Sequence, residues 1–382
     1  MQFSFVGPSI ETTARSLRIV TLRRTMPIAL LAAAAAVACG GGSSGHTVSG
    51  DKANAPAASG GVDLTGAGAT FPYPIYSKWF ADYAQETSVR INYQSIGSGG
   101  GIRQLSEGTV DFGASDAPMS DDELAKAKGP VLHFPTVIGA VAVTYNLPSL
   151  STPIRLTSDV IADIFLGHIT KWNDSRIRGA NPGIALPATD VLVVHRADAS
   201  GTTYIFSDYL SAVSADWAKA PGKGKELSWP VGIGAKGNEG VAGQVKQTPG
   251  AIGYVELAYA KQNNLPTALL KNASGAFVAP SIESATAAAA GIADKLPNNT
   301  DYRISIVNAP GADAYPIASF TWLLVYRNQT DATKAKKLKD FLHWYLHSGE
   351  STAASLEYAP LPDVMKARLD ARVDSLITGS TT

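Results

Sequence analysis

Residues 193–206, VVHRADASGTTYIF, end an apolar β-branched run in Arg196 and Asp198, then turn through Ser200, Gly201 and Thr202 into a helix-like stretch. Only 17% of the chain is charged, so a guanidinium, a carboxylate and a hydroxyl-rich helix start within seven positions point to chemistry. The planar fork of Arg196 suits bidentate contact with a tetrahedral oxyanion. Asp198, two residues on, can pair with it and hold its orientation. Two further stretches, LTGAGATFPYPIYSKW (64–79) and YQSIGSGGGIRQL (93–105), repeat the design of extended run, Gly/Ser/Thr turn and helix. A helix start leaves unpaired N–H groups and a partial positive charge, so each turn can hold an oxyanion. Taken singly, each turn also reads as an ordinary cap, and Arg196 with Asp198 as a surface ion pair worth under about 1 kcal/mol. The weight comes from three such turns beside an arginine.

Asp116 adds a selective element. DFGASDAP (111–118) places this carboxylate after an extended run and in a turn, where it can close the same cleft. An ionised aspartate only accepts hydrogen bonds, so beside a bound anion it welcomes one that carries a proton, such as the P–OH of phosphate. Sulfate has no proton near neutral pH and is repelled. A polar group left without its partner can cost a factor of about 10⁴ in selectivity. On local sequence alone Asp116 also reads as a cap before PMSDDEL.

Other motifs carry less. GIGAKG (232–237) matches G-x-G-x-x-G but lacks the acidic residue that should follow a second strand, so it reads as a loop. HWYLH sets His343 and His347 four apart without the intervening glutamate of a zincin, which reads as a helix face and not a metal site. His195 precedes Arg196, so strand alternation points it the other way. Ser200 has no histidine placed to act as its base, which argues against a serine nucleophile.

These turns need elements to hold them. Extended runs are expected at 89–97, 110–115, 132–146, 189–196, 251–257 and 315–327. Helices are expected over YPIYSKWFADYAQE, where Ile75, Tyr76, Trp79, Phe80 and Tyr83 recur at three- and four-residue spacing. Others are SDDELAKAK with a Ser120/Glu123 capping box, residues 281–296 and residues 332–347. The alternation argues for an α/β class. The runs at 132–146 and 315–327 exceed a usual strand and suit passages between two lobes, out near 140 and back near 317.

At 382 residues and 45% hydrophobic content the chain can bury a core, and its length favours two domains. Residues 1–38 read as an export signal, with Arg15, Arg18, Arg23 and Arg24 before the apolar MPIALLAAAAAVA. Cys39, the single cysteine, follows Ala36-Val37-Ala38 as in a lipobox and is the expected lipidation site. Residues 39–61 are then a lipidated cysteine and a flexible Gly/Ser/Ala tether. The folded part has no thiol for disulfides or thiolate metal sites. Four arginines and Glu11 fall in the signal, so of 32 basic and 32 acidic residues the remainder carries a net charge of −3. A nucleic-acid partner would favour the opposite sign.

With these pieces assembled, the chain resembles the phosphate-binding proteins of bacterial ABC phosphate importers, a type II periplasmic substrate-binding family. TGAGATFPYPIYSKW, VDFGASDAPMSDDEL, FPTVIGAV, GAIGYVELAYAKQNNL and YAPLPD look like that family's blocks. The resemblance implies a two-lobed periplasmic-binding-protein-like α/β fold with two crossover hinge strands. Lobe I would be 62–140 plus 317–382, and lobe II 141–316. It implies phosphate ligands at Thr70, Phe71, Ser98, Asp116, Arg196, Ser200, Gly201 and Thr202, with Asp198 steadying the arginine. Phe71 would act through its N–H, and Ser98, Ser200 and Thr202 through hydroxyls and N–H groups. Two positions depart from the family's usual pattern: Gly99 follows Ser98 where a serine is common, and Ala199 stands where a glycine is common. Ala199 would resist a positive φ. The expected protein is a monomeric extracytoplasmic receptor, tethered by its N-terminal lipid, that delivers inorganic phosphate to an ABC permease without catalysis, cofactor or metal. The competing readings are a receptor for sulfate or molybdate, and a secreted phosphatase or serine hydrolase using Ser200.

Overall fold

The structure, a computed structural model, describes residues 63–293, 296–297 and 300–378. The signal-like leader, Cys39 and the tether lie outside the described residues. The chain first lays down β1 (Leu64–Gly68), α1 (Tyr73–Thr87), β2 (Ile91–Ser95), α2 (Ser98–Glu107), β3 (Phe112–Ser115), α3 (Asp121–Lys126) and β4 (Val131–Tyr145). β1 pairs in parallel with both β2 and β3, and parallel neighbours need crossovers, which α1 and α2 supply. α1 buries Ile75, Tyr76, Trp79, Phe80 and Tyr83, the stripe legible in its sequence. Ser120 and Glu123 complete the capping box of α3.

A second set follows: β5 (Arg155–Leu156), α4 (Ser158–Phe165), α5 (Ser175–Ala180), β6 (Leu192–Arg196), α6 (Gly201–Val213), α7 (Ala215–Lys219), β7 (Ile233–Ala235), α8 (Gly237–Gln247), β8 (Ala251–Glu256), α9 (Leu257–Gln262), β9 (Leu269–Lys271), β10 (Phe277–Val278) and α10 (Ile282–Ala293). The chain returns through β11 (Ala318–Tyr326), β12 (Asn328–Gln329), α11 (Ala332–His347), α12 (Asp363–Asp374) and β13 (Ile377–Thr378). Among the described residues no helix is long and apolar enough to cross a membrane.

The main sheet has the order β2-β1-β3-β11-β4-β8-β6-β7. β4 is shared between two halves, pairing antiparallel with β11 up to Ala140 and with β8 from Val141. Together β4 and β11 are the crossovers of a two-lobed α/β fold, buried along almost their whole length as strands covered on both faces must be. The register of β4 against β11 slips at Thr321/Trp322, the kind of irregularity that re-aims a side chain. GIGAKG is not the loop expected of it. Ile233–Ala235 form the edge strand β7, parallel to β6, because the second half repeats the strand–glycine–helix design once more.

Candidate functional site

The strand–turn–helix units all open toward one crevice, outside the carboxyl ends of parallel strands, where α/β sheets place their ligands. The turn after β1 begins at Gly68, at φ 147°, where a Cβ would stand 1.9 Å from the Ala114 carbonyl oxygen. Only glycine lets β1 and β3 approach this closely. That turn buries Thr70 and Phe71. α2 is capped by Gly97 and starts at Ser98, and β3 leads straight into Asp116, 1% exposed. β6 ends at Arg196, and Ser200 caps α6 by accepting a hydrogen bond from the Thr203 N–H at 3.0 Å. The N–H groups of Ser98, Gly201 and Thr202 open their helices and so have no intrahelical acceptor.

The turns meet across the two halves. The Asp116 N–H donates to Ser98 Oγ at 3.1 Å. A Cβ on Gly201 would fall 2.4 Å from Ser98 Oγ and 2.5 Å from Asp116 Oδ2, so α6 brings its first residue directly against them. The Gly99 N–H donates to the Ala199 carbonyl at 2.9 Å. Arg196 Nε and Nη2 donate to the two Asp198 oxygens at 2.8 and 2.5 Å, and Nη1 to Thr202 Oγ1 at 3.3 Å. Thr70, Ser98, Asp116, Arg196, Ser200, Gly201 and Thr202 are thus all buried, and contacts join Ser98 with Asp116 and Gly201, and Arg196 with Thr202. One detail differs from the expected roles. The Ser200 N–H donates to the Lys225 carbonyl at 2.9 Å, which leaves the hydroxyl as this residue's free donor. Ala199 avoids positive φ. Its methyl also occupies the space beside Gly99, where a Cβ would be 2.4 Å away, so the two departures from the family pattern fit each other.

Burial dominates the electrostatics of Asp116 and pushes its carboxyl up to about 7, against the pull of a Thr321 hydrogen bond (2.8 Å), the Arg196 charge and Ser98. Asp198 is also desolvated. Its bidentate bond to Arg196, that charge and the Gly237 N–H at 3.0 Å nevertheless hold it below the usual carboxylate range. The crevice therefore pairs a guanidinium fixed by one ionised carboxylate with a second carboxyl poised to change protonation state. Three helix starts and an arginine favour an oxyanion, and the poised carboxyl favours one that carries a proton.

Sequence reading missed several residues. Asn238, the second residue of α8, donates from Nδ2 to Thr70 Oγ1 at 2.8 Å and to Thr202 Oγ1 at 3.1 Å, touching hydroxyls of both halves. Its Oδ1 accepts the Glu256 N–H at 2.9 Å. The signal was the fourth strand–glycine–helix unit, set aside with GIGAKG. Tyr259 donates its hydroxyl to the Thr70 carbonyl and Tyr358 to the Phe71 carbonyl, each at 2.6 Å, fixing that turn from far along the chain. Glu256 is wholly buried with Oε1 unpartnered, and burial holds its carboxyl well above the usual range against bonds from Ala258 and Tyr358. No local motif announces these long-range partners.

Comparison with known proteins places this geometry in a family. The model of the PBP superfamily domain matches residues 53–349. The phosphate-binding protein PstS of Xylella fastidiosa (strain Temecula1) is 48% identical over 311 residues, 81% of this chain and 84% of the relative. PstS of Methanocaldococcus jannaschii is 42% identical over 326 residues, 80% of this chain and 84% of the relative. Among solved structures, the high-affinity periplasmic phosphate-binding protein PfluDING aligns with a TM-score of 0.66 at 21% identity, covering 84% of this chain and all of that one. A phosphate-binding protein from Stenotrophomonas maltophilia gives 0.62 at 18% identity, covering 81% and 93%. At such identities the structures speak for the two-lobed fold, while the sequence relatives settle kinship: this chain belongs to the PBP superfamily and, within it, to the PstS family of binding proteins, which is not a family of enzymes.

Proposed function

We propose that the protein is a receptor for inorganic phosphate that delivers its cargo to an ABC-type import permease. The observation that carries this reading is the buried Asp116 carboxyl in contact with Ser98 and Gly201 beside the Arg196 guanidinium. As a carboxylate it accepts the P–OH of HPO₄²⁻ or H₂PO₄⁻, while Arg196, the hydroxyls of Thr70, Ser98, Ser200 and Thr202, and the N–H groups of Phe71, Ser98, Gly201 and Thr202 donate to the other oxygens. The PstS relatives favour the same ligand. Calorimetry with phosphate, with sulfate as competitor, tests it. Tight phosphate binding that excess sulfate does not displace is expected, and Asp116→Asn should narrow that preference. Equal affinity for sulfate would favour a general oxyanion receptor.

The lobes are proposed as 62–140 plus 317–382 and 141–316, supported by the change of β4 partners between Ala140 and Val141. Lipid attachment at Cys39 would hold a monomer at the outer face of the membrane. A hydrolytic role for Ser200 has little support, since its hydroxyl caps α6 and, among the described residues, no histidine bonds to it.

A further inference from the structure

Away from the crevice, two histidines of α11 converge on a carboxylate of α12. His343 and His347 lie one turn apart and share a helix face. His343 Nδ1 is 2.9 Å from Asp370 Oδ1, and His347 Nε2 is 3.0 Å from Asp370 Oδ2. One ligand atom from each of the three lies within 4.8 Å of the others. The other nitrogen of His343, Nε2, faces Asp374 Oδ1 at 3.2 Å.

A neutral imidazole carries a single N–H. With both ring nitrogens against carboxylates, a neutral His343 can donate to one of them, and its remaining lone pair then faces an anion. A divalent cation removes the conflict by taking the Nδ1 lone pair, while Nε2–H donates to Asp374. That is the carboxylate–histidine–metal arrangement that orients ligands at metal centres. Two imidazoles and a carboxylate suit zinc and its softer neighbours, whereas calcium and magnesium take oxygen ligands. The fourth position of a tetrahedral ion would fall to water.

We propose that His343, His347 and Asp370 form a surface site for a borderline divalent transition cation such as zinc, with Asp374 as the residue that orients His343. The expectation that HWYLH is only a helix face rested on the missing glutamate within the motif. The structure supplies the carboxylate from another helix, 23 positions after His347. A bound ion would link α11 to α12.

The test is calorimetric titration of purified full-length protein, without a histidine tag, with zinc chloride in phosphate-free, chelator-treated buffer near neutral pH. One micromolar or tighter site is expected, together with a zinc-dependent rise in Tm. His343→Gln and His347→Gln should each weaken binding at least about tenfold and abolish the Tm rise, and Asp374→Asn should weaken it about tenfold or more. Magnesium chloride should give no binding. No zinc binding by the wild type, or binding unchanged in both histidine variants, would overturn the proposal and leave only imidazolium–carboxylate pairs. Circular dichroism checks folding. Should His343→Gln misfold, His347→Gln decides the matter, because that side chain is 63% exposed.

Discussion

In the proposed receptor, Asp116 would serve binding at the expense of stability. Its carboxyl is raised from 3.8 to about 7, chiefly by burial. A raised folded pKa means that the fold favours the protonated form, so the associated stability is fully present below pH 3.8 and is lost as pH rises through about 7. A shift of this size corresponds to on the order of 4 kcal/mol. Asp116→Asn keeps an acceptor for the Thr321 hydroxyl and never ionises. Melts in phosphate-free buffer should therefore show the variant well above wild type at pH 8 and close to it at pH 4. A constant gap at both values would mean that the carboxyl is not buried as described. The same titration bears on specificity. Below about pH 7 a neutral Asp116 can donate its own proton to a fully deprotonated anion, so sulfate should compete with phosphate better at pH 5 than at pH 8.5. Competition that does not change with pH would remove Asp116 as the group that reads the ligand's proton.

At the scale of elements, what sequence made legible is what repeats locally. The three turns, the amphipathic stripe of α1, the capping box of α3 and the long crossovers are all local patterns, and local patterns survive folding when the tertiary contacts agree with them. The fourth unit, β7 and α8, is hidden in sequence because GIGAKG has the spacing of a nucleotide-binding motif without its acidic partner, while its strand is only three residues long. Tyr259, Thr321 and Tyr358 were illegible for a different reason. Each reaches the site through contacts spanning long stretches of chain, for example 189 positions between Thr70 and Tyr259. The turn pair Gly99 and Ala199 lies between these cases, since each departure is visible alone but their fit appears only in space. Gly99→Ser should push the α2 and α6 starts apart, because a Cβ there meets the Ala199 methyl at 2.4 Å. The single change should weaken phosphate binding by about tenfold or more, the range of a strained contact costing 1–3 kcal/mol. Adding Ala199→Gly should restore most of the affinity, giving a double-mutant coupling of at least about 1 kcal/mol. Additive losses would show that the two starts do not press on each other.

For the whole molecule, the two halves are joined covalently by crossover strands and non-covalently by two sets of bonds, one around the crevice and one where residues 296 and 300–303 bond to Met119, His133, Trp322, Arg368 and Arg372. Asn238 is central to the first set, because its amide donates to Thr70 Oγ1 of the first half and Thr202 Oγ1 of the second. A hydroxyl that accepts from an amide keeps its own proton free to donate elsewhere, so Asn238 ties the halves and leaves two hydroxyls able to donate to the proposed anion. Lys225 adds an ion pair to Glu123 at 2.7 Å, but its partial exposure limits what it contributes. Closure held by hydrogen bonds that are each of modest net worth can be reversible, which a receptor needs if its permease is to distinguish loaded from empty protein. Asn238→Ala removes three buried hydrogen bonds, two to the threonine hydroxyls and one accepted from the Glu256 N–H, each worth about 0.5–1.5 kcal/mol, and should lower phosphate affinity roughly ten- to a hundredfold. If the residue acts as a latch, X-ray scattering should also show a larger radius of gyration for the variant than for wild type at subsaturating phosphate, with the difference closing at saturation. An affinity loss with superimposable scattering curves would confine Asn238 to orienting the hydroxyls and leave closure to the remaining contacts.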